Sequence, residues 1–148
     1  MKIQTKYHGQ IELKNEQLFH FAKGLPAFES EKQFVLLSLE EESPFYVLQS
    51  TETADVAFIC VEPFSYIQDY QVQLSKQVIE ELNITSNEQV AIFVLLTVKE
   101  PFMETTANLQ GPIVLNMKKQ KGRQFMMNDS LYQTKERIFK QSVVKGEK

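Results

Sequence analysis

Cysteine is nearly missing from this chain: Cys60 stands alone among 148 residues. One thiol can form no intrachain disulfide and no cysteine-based zinc cage. Its neighbours, Phe58-Ile59-Cys60-Val61, read as a strand interior, where a thiol behaves as a small hydrophobe. Histidine is almost as scarce, with only His8 and His20. No His-x-x-x-His spacing exists, and two imidazoles do not complete a structural zinc set. His8 sits beside a turn glycine and His20 between Phe19 and Phe21, so both read as satisfied or solvent-facing. Alternating Asp/Asn around a glycine, as a calcium loop requires, is also absent.

The five glycines, Gly9, Gly24, Gly111, Gly122 and Gly146, are scattered singly. Neither a phosphate-binding loop nor a dinucleotide fingerprint can be written from them. No serine stands in Gly-x-Ser-x-Gly, and no nucleophile–base pair is suggested by spacing. These absences lead us to expect a protein that is not an enzyme and carries no cofactor or metal. The longest uncharged apolar stretch, Val90 to Val98, is about half of a membrane span. The start, Met1 to Lys6, alternates polar and apolar without a signal-peptide core. We expect a cytoplasmic protein without membrane association.

What the chain does contain is the material of one folded domain. About 43% of its residues are hydrophobic and 24% are charged, as in ordinary globular proteins. We expect a single domain over 1–143 and a frayed tail over 144–148. The net charge of −3 speaks against a general nucleic-acid binder, but it is unevenly spread. Residues 1–117 hold seven basic and sixteen acidic residues, a balance of −9, and residues 118–148 hold nine and three, a balance of +6.

Apolar periodicity is mostly two, the period of a strand. Ile3, Thr5 and Tyr7 alternate with Lys2, Gln4 and Lys6, and Gly9 turns the chain into Gln10 to Leu13. Gln33 to Leu39, Phe45 to Gln49 and Val56 to Val61 are short runs rich in branched and aromatic residues. Val90 to Val98 is apolar on both faces, so it should be the most central strand. Ile113 to Met117 and Gln124 to Met127 flank Lys118 to Gly122 as a hairpin with a basic tip. Ser75 is a good N-cap for a helix over Lys76 to Leu82 that Asn83 ends. A weaker helix is expected from Asp129 or Ser130 into Leu131 to Phe139. The fold class expected is all-β and mainly antiparallel: a small barrel-like or sandwich domain with one or two short helices.

Three Pro-Phe pairs, at 44–45, 63–64 and 101–102, punctuate the chain; their flanks do not match, so they read as strand terminators rather than repeats. Phe28, Phe45, Phe64 and Phe102, each near a turn proline, are candidate rim anchors for a partner. Glu40-Glu41-Glu42 reads as a solvated turn. Lys118, Lys119, Lys121 and Arg123, with Phe125 nearby, leave an RNA-binding hairpin as the alternative function.

A longer pattern carries a family resemblance. Its elements in order are Gly24-Leu25-Pro26-Ala27-Phe28-Glu29, then Pro44-Phe45 with Leu48-Gln49-Ser50, then Ala57-Phe58 and Pro63. Thr106-Ala107-Asn108-Leu109-Gln110-Gly111-Pro112-Ile113-Val114-Leu115-Asn116 closes it. Together these resemble the flagellar assembly factor FliW family from about Phe19 to Tyr132. Two departures are Ala27, where the family pattern has glycine, and Gly111, where it has alanine. The resemblance implies a small, barrel-like, non-catalytic cytoplasmic protein. It implies two protein partners, the RNA-binding translational repressor CsrA (the carbon storage regulator) and flagellin, whose exchange couples flagellin synthesis to export. No direct nucleic-acid contact is implied.

Charge suits such a repressor, because a protein that grips RNA offers a cationic surface. Glu40, Glu41, Glu42, Glu52, Asp55 and Glu62 are the candidate acidic contacts. Phe45, Phe64 and Phe102 are the candidate apolar anchors for a flagellin helix. The motif from Thr106 to Asn116, with Gly24 and Pro26, reads mainly as architecture: turn shaping, strand opening and satisfaction of backbone groups by Asn108.

Overall fold

Alternation along the strands sets the architecture. The structure, a computed structural model, describes residues 1–128 and 131–139. Eleven strands and one helix lie among them. The strands are β1 (Lys2–Gln4), β2 (Gln10–Glu12), β3 (Leu18–His20), β4 (Gln33–Ser38), β5 (Tyr46–Ser50), β6 (Ala57–Val61), β7 (Val90–Thr97), β8 (Thr106–Ala107), β9 (Ile113–Asn116), β10 (Lys121–Gln124) and β11 (Glu136–Arg137); the helix is α1 (Lys76–Glu81).

Seven strands close a barrel in the order β3-β4-β5-β6-β7-β9-β10, with β10 returning to β3. All pairings are antiparallel except that closure, which is parallel and runs through Lys121 and His20. The all-β, mainly antiparallel expectation holds, and the barrel is its form. Residues two apart fill the interior: Phe19 and Phe21, Phe34 and Leu36, Tyr46 and Leu48, Phe58 and Cys60, Phe93, and Ile113 with Leu115. Full burial of each such side chain contributes about 1.5–3 kcal/mol, so this interior dominates stability.

The outer barrel face is covered in three places, which explains strands apolar on both sides. The β1–β2 hairpin lays Ile3 and Leu13 on Val35. Helix α1 lays Val78 and Leu82 on Val114. A longer cover seats Tyr70, Leu109, Met127 and Ile138 on Val61 and Val94. Strand β7 lies between interior and covers, pairing with β6, β8 and β9. It was expected to be the most central strand; in a closed barrel no strand is central, and β9 is the more completely buried one. Helix α1 follows its signals: Ser75 caps it by accepting from the Val78 amide at 3.2 Å, and Asn83 turns left-handed at φ 56° beyond it.

Two further expectations are corrected. The basic hairpin is shorter than expected, because β10 begins at Lys121 and its tip is Met117 to Gln120. Gly122 is therefore a strand residue and not a turn. A Cβ there would lie 2.6 Å from the Phe21 ring and 2.7 Å from Leu115, so a glycine is what lets those side chains fill the barrel. The second helix does not form over Leu131 to Phe139. That stretch is irregular apart from β11, which pairs with β8, and Leu109 and Gln110 donate their amides to the Gln133 carbonyl. Tertiary pairing outweighs a weak helical pattern there. Asp129, Ser130 and the expected frayed tail lie outside the described residues.

Candidate protein-interaction surfaces

The candidate acids occupy two places. Glu40, Glu41 and Glu42 lie exposed in the loop between β4 and β5, which the Leu39 amide closes onto the Phe45 carbonyl at 2.9 Å. His8 braces the start of that loop: its Nε2 lies 2.9 Å from the Ser38 carbonyl and 3.2 Å from that of Leu39. Register carries Ser38 to Tyr46 and Tyr46 to Cys60, so Glu62, just past β6, shares this end of the sheet. Glu52 and Asp55 lie in the β5–β6 turn, at the other end of β5. There Glu52 accepts the Lys32 amide at 3.2 Å. Among the described residues, the only ion pairs are Met1–Glu12 and Arg123–Glu81. Among the described residues, no cation lies within ion-pair distance of Glu40, Glu41, Glu42 or Glu62.

The candidate phenylalanines also divide. Phe45 and Phe102 meet edge to face at 5.7 Å, and both pack on Phe139, at 6.0 and 4.9 Å. Tyr66 completes the group at 5.1 Å from Phe139. Phe64 stands apart, against Tyr70. It lines a groove of about 490 Å³ with Val72, Leu74, Ile79, Ile84, Val90 and Ile92, whose polar members, Gln73 and Asn87, are uncharged. Phe28 packs edge to face on Phe58 at 5.3 Å.

The motif residues do structural work. Gly24 takes φ 60°, and a Cβ would strike the Phe28 and Glu29 backbone within 2.7 Å. Leu25 is buried, and bridges to Phe28 around Pro26. Gln49 is fully buried; it accepts from the Lys6 amide and donates to the Ser50 and Ala54 carbonyls, at 2.9–3.0 Å. Ser50 donates to Glu31 at 2.5 Å. Asn108 accepts the Gly111 amide at 2.8 Å, just before Pro112 leads into β9. The Leu109 carbonyl accepts the Tyr70 hydroxyl at 2.5 Å. Asn116, fully buried, donates to the Leu82 carbonyl and accepts the Lys118 and Lys119 amides, locking helix, strand and tip together. Thr106 and Ala107 form β8, while Leu48 faces the barrel interior and Pro44 precedes β5.

The sequence profile of the family described as "FliW protein" matches residues 2–138. The chain belongs to the FliW family. It is 48% identical over 145 residues to the flagellar assembly factor FliW of Geobacillus kaustophilus, covering 98% of this chain and 100% of that one. It is 44% identical over 138 residues to that of Bacillus subtilis, covering 93% and 96%. A crystal structure of the flagellar assembly factor FliW superposes with a TM-score of 0.90 at 46% identity, over 97% of this chain and 100% of that one. The FliW barrel and its covers are thus the shared scaffold on which these surfaces sit.

Among the described residues, no His, Cys, Asp and Glu side chains group as a metal site, and no helix is long and apolar enough to cross a membrane. Of the four hairpin cations, Arg123 is paired with Glu81 at 2.7 Å and Lys121 donates to Asn83, leaving Lys118 and Lys119 exposed at the tip. Sequence reasoning missed Tyr66 and Phe139 in the aromatic cluster, because nothing in their spacing links them to Phe45 or Phe102. It also missed the groove, although Gln71-Val72-Gln73-Leu74 alternates outside any strand and Ile79 leaves an apolar residue exposed on α1.

Proposed function

We propose that this chain is a non-enzymatic flagellar assembly factor of the cytoplasm that works by exchanging two protein partners. One is the translational repressor CsrA, which it antagonises; the other is flagellin, which displaces the repressor and so links flagellin synthesis to its export. The observation that carries this is the presence of two exposed surfaces of different chemistry: an acidic end formed by Glu40, Glu41, Glu42 and Glu62, and an uncharged apolar groove around Phe64. The first complements an RNA-gripping protein. The second accepts the apolar face of a helix. Names of relatives as assembly factors agree with the role. The alternative of direct RNA binding is weaker, because two of its four cations are already engaged within the fold.

Calorimetry against purified CsrA, followed by flagellin as competitor, tests the proposal. Binding of the repressor and its release by flagellin are expected. Absence of binding to both removes the partner-exchange function, and a gel shift of RNA by this chain alone replaces it with the alternative.

A further inference from the structure

The turn between β1 and β2 holds one imidazole in a fixed place. Thr5 is buried, and its Oγ1 accepts the His8 amide at 2.8 Å while donating to the Gly9 carbonyl at 2.7 Å. The Thr5 amide also donates to that carbonyl, at 2.9 Å, and Gly9 turns left-handed at φ 66°. Lys6 ties the turn to the barrel by donating its amide to Gln49 at 3.0 Å. The ring so held reaches the end of β4, with Nε2 2.9 Å from the Ser38 carbonyl and 3.2 Å from that of Leu39. Carbonyls only accept, so Nε2 carries the hydrogen. Nδ1 is buried with no partner among the described residues. An unpaired buried polar atom costs stability, so what this placement secures is the contact with the loop and not the burial of the ring.

The loop it holds is itself costly. Glu40, Glu41 and Glu42 are exposed like charges in immediate succession, and Glu42 takes φ 60°, where a side chain crowds its own backbone. The loop's internal bonds are few: the Leu39 amide donates to the Phe45 carbonyl at 2.9 Å, the Ser43 amide to the Glu40 carbonyl at 3.3 Å, and the Phe45 amide to the Ser43 hydroxyl at 3.1 Å. Among the described residues, His8 alone brings it a hydrogen bond from a distant part of the chain. Sterically costly conformations gather where function needs a preset shape. We infer that His8 is a positioning residue that presets the acidic loop for its basic partner, so that the loop's freedom is lost on folding and not on binding. This role rests on the proposed repressor binding and deepens it, because it gives the β1–β2 hairpin, which carries none of those acids, a share in the affinity.

The test compares the full chain with His8→Ala and His8→Gln, using purified CsrA as the probe. Glutamine restores an N–H donor of similar reach without an imidazole, and alanine restores none. Thermal melts establish that each variant is folded at the temperature of the assay. In His8→Ala without partner, exchange of the Leu39, Ser43 and Phe45 amides is expected to speed up. Its affinity for CsrA is expected to fall about three- to tenfold. The salt dependence of binding should not change, since every carboxylate of the loop is kept. His8→Gln should return both loop exchange and affinity towards those of the wild-type chain, which a ring that only stabilises the fold would not require. Unchanged loop exchange in His8→Ala, or an affinity equal to that of the wild-type chain, overturns the positioning role and leaves the repressor-binding role standing. If the wild-type chain does not bind, both fall together.

Discussion

Ala27 carries a conformational cost that its neighbours make necessary. It takes φ 70° in the tight turn between Leu25 and Phe28, where a Cβ crowds the following carbonyl by roughly 1–2 kcal/mol. Its amide is held by Glu29 at 3.1 Å, so the turn cannot relax elsewhere. Ala27→Gly removes that crowding and returns part of the gain as unfolded-chain entropy. A net stabilisation of about 0.5–1 kcal/mol in urea unfolding is expected; no gain would mean that the strain is absorbed by the turn. Gln49 is the opposite case, a polar side chain that the fold cannot lose. Gln49→Leu leaves the Lys6 amide and the Ser50 and Ala54 carbonyls without their partner. A loss of about 1–3 kcal/mol in the same measurement is expected, together with faster amide exchange in the β1–β2 hairpin.

At the scale of elements, the closing seam of the barrel depends on one missing side chain. Gly122 in β10 faces the Phe21 ring and Leu115, both inside the barrel. Gly122→Ala forces them apart, and overpacking of a filled interior costs about 1–3 kcal/mol. Urea unfolding should register that loss, with exchange of the β3 and β10 amides rising first; an unchanged midpoint would show that Phe21 turns aside freely. This glycine also marks the limit of what was legible in the chain. β4 through β7 were readable to within a residue or so, because branched and aromatic residues alternate between turn signals. Helix α1 was readable from Ser75 and Asn83. The start of β10 was not, since a glycine after three lysines has the local pattern of a turn and only the interior across the barrel explains it. The stretch from Leu131 to Phe139 was misread for the same reason: its partners, β8 and the Leu109 and Gln110 amides, are some 25 residues away in the chain.

Over the whole molecule, surfaces are assembled from residues that sequence distance separates, and there the chain said least. Glu40 to Glu42 and Glu52 looked like one acidic set, yet they lie at opposite ends of β5. Phe45 and Phe102 looked no more related to each other than to Phe64. Their grouping is produced by the long outer cover, which bends Phe139 and Tyr66 under Phe102. That cover is tied to the barrel side by Tyr70, buried beside Tyr132 at 4.7 Å, with its hydroxyl on the Leu109 carbonyl. Burial, reinforced by the negative charge that Tyr132 and Glu136 bring, raises the Tyr70 phenol well above its ordinary value of 10.0. Burial likewise raises the Cys60 thiol above 9.0. The folded state keeps both protons where the unfolded chain releases them, so the stabilisation is complete well below pH 9, begins to be lost as pH passes 9.0 and 10.0, and goes on being lost until the raised folded-state values are reached. Unfolding free energy should therefore be flat from pH 7 to 8.5 with respect to these groups and fall steeply above 10. Tyr70→Phe should lower the neutral plateau by about 1 kcal/mol, for the unpaired Leu109 carbonyl, and make the alkaline fall shallower. The outer cover should detach with it, seen as Tyr66 and Tyr132 becoming exposed to ultraviolet difference spectroscopy near the same pH. An alkaline limb equally steep in Tyr70→Phe would place its origin elsewhere in the molecule and leave the outer cover independent of that phenol.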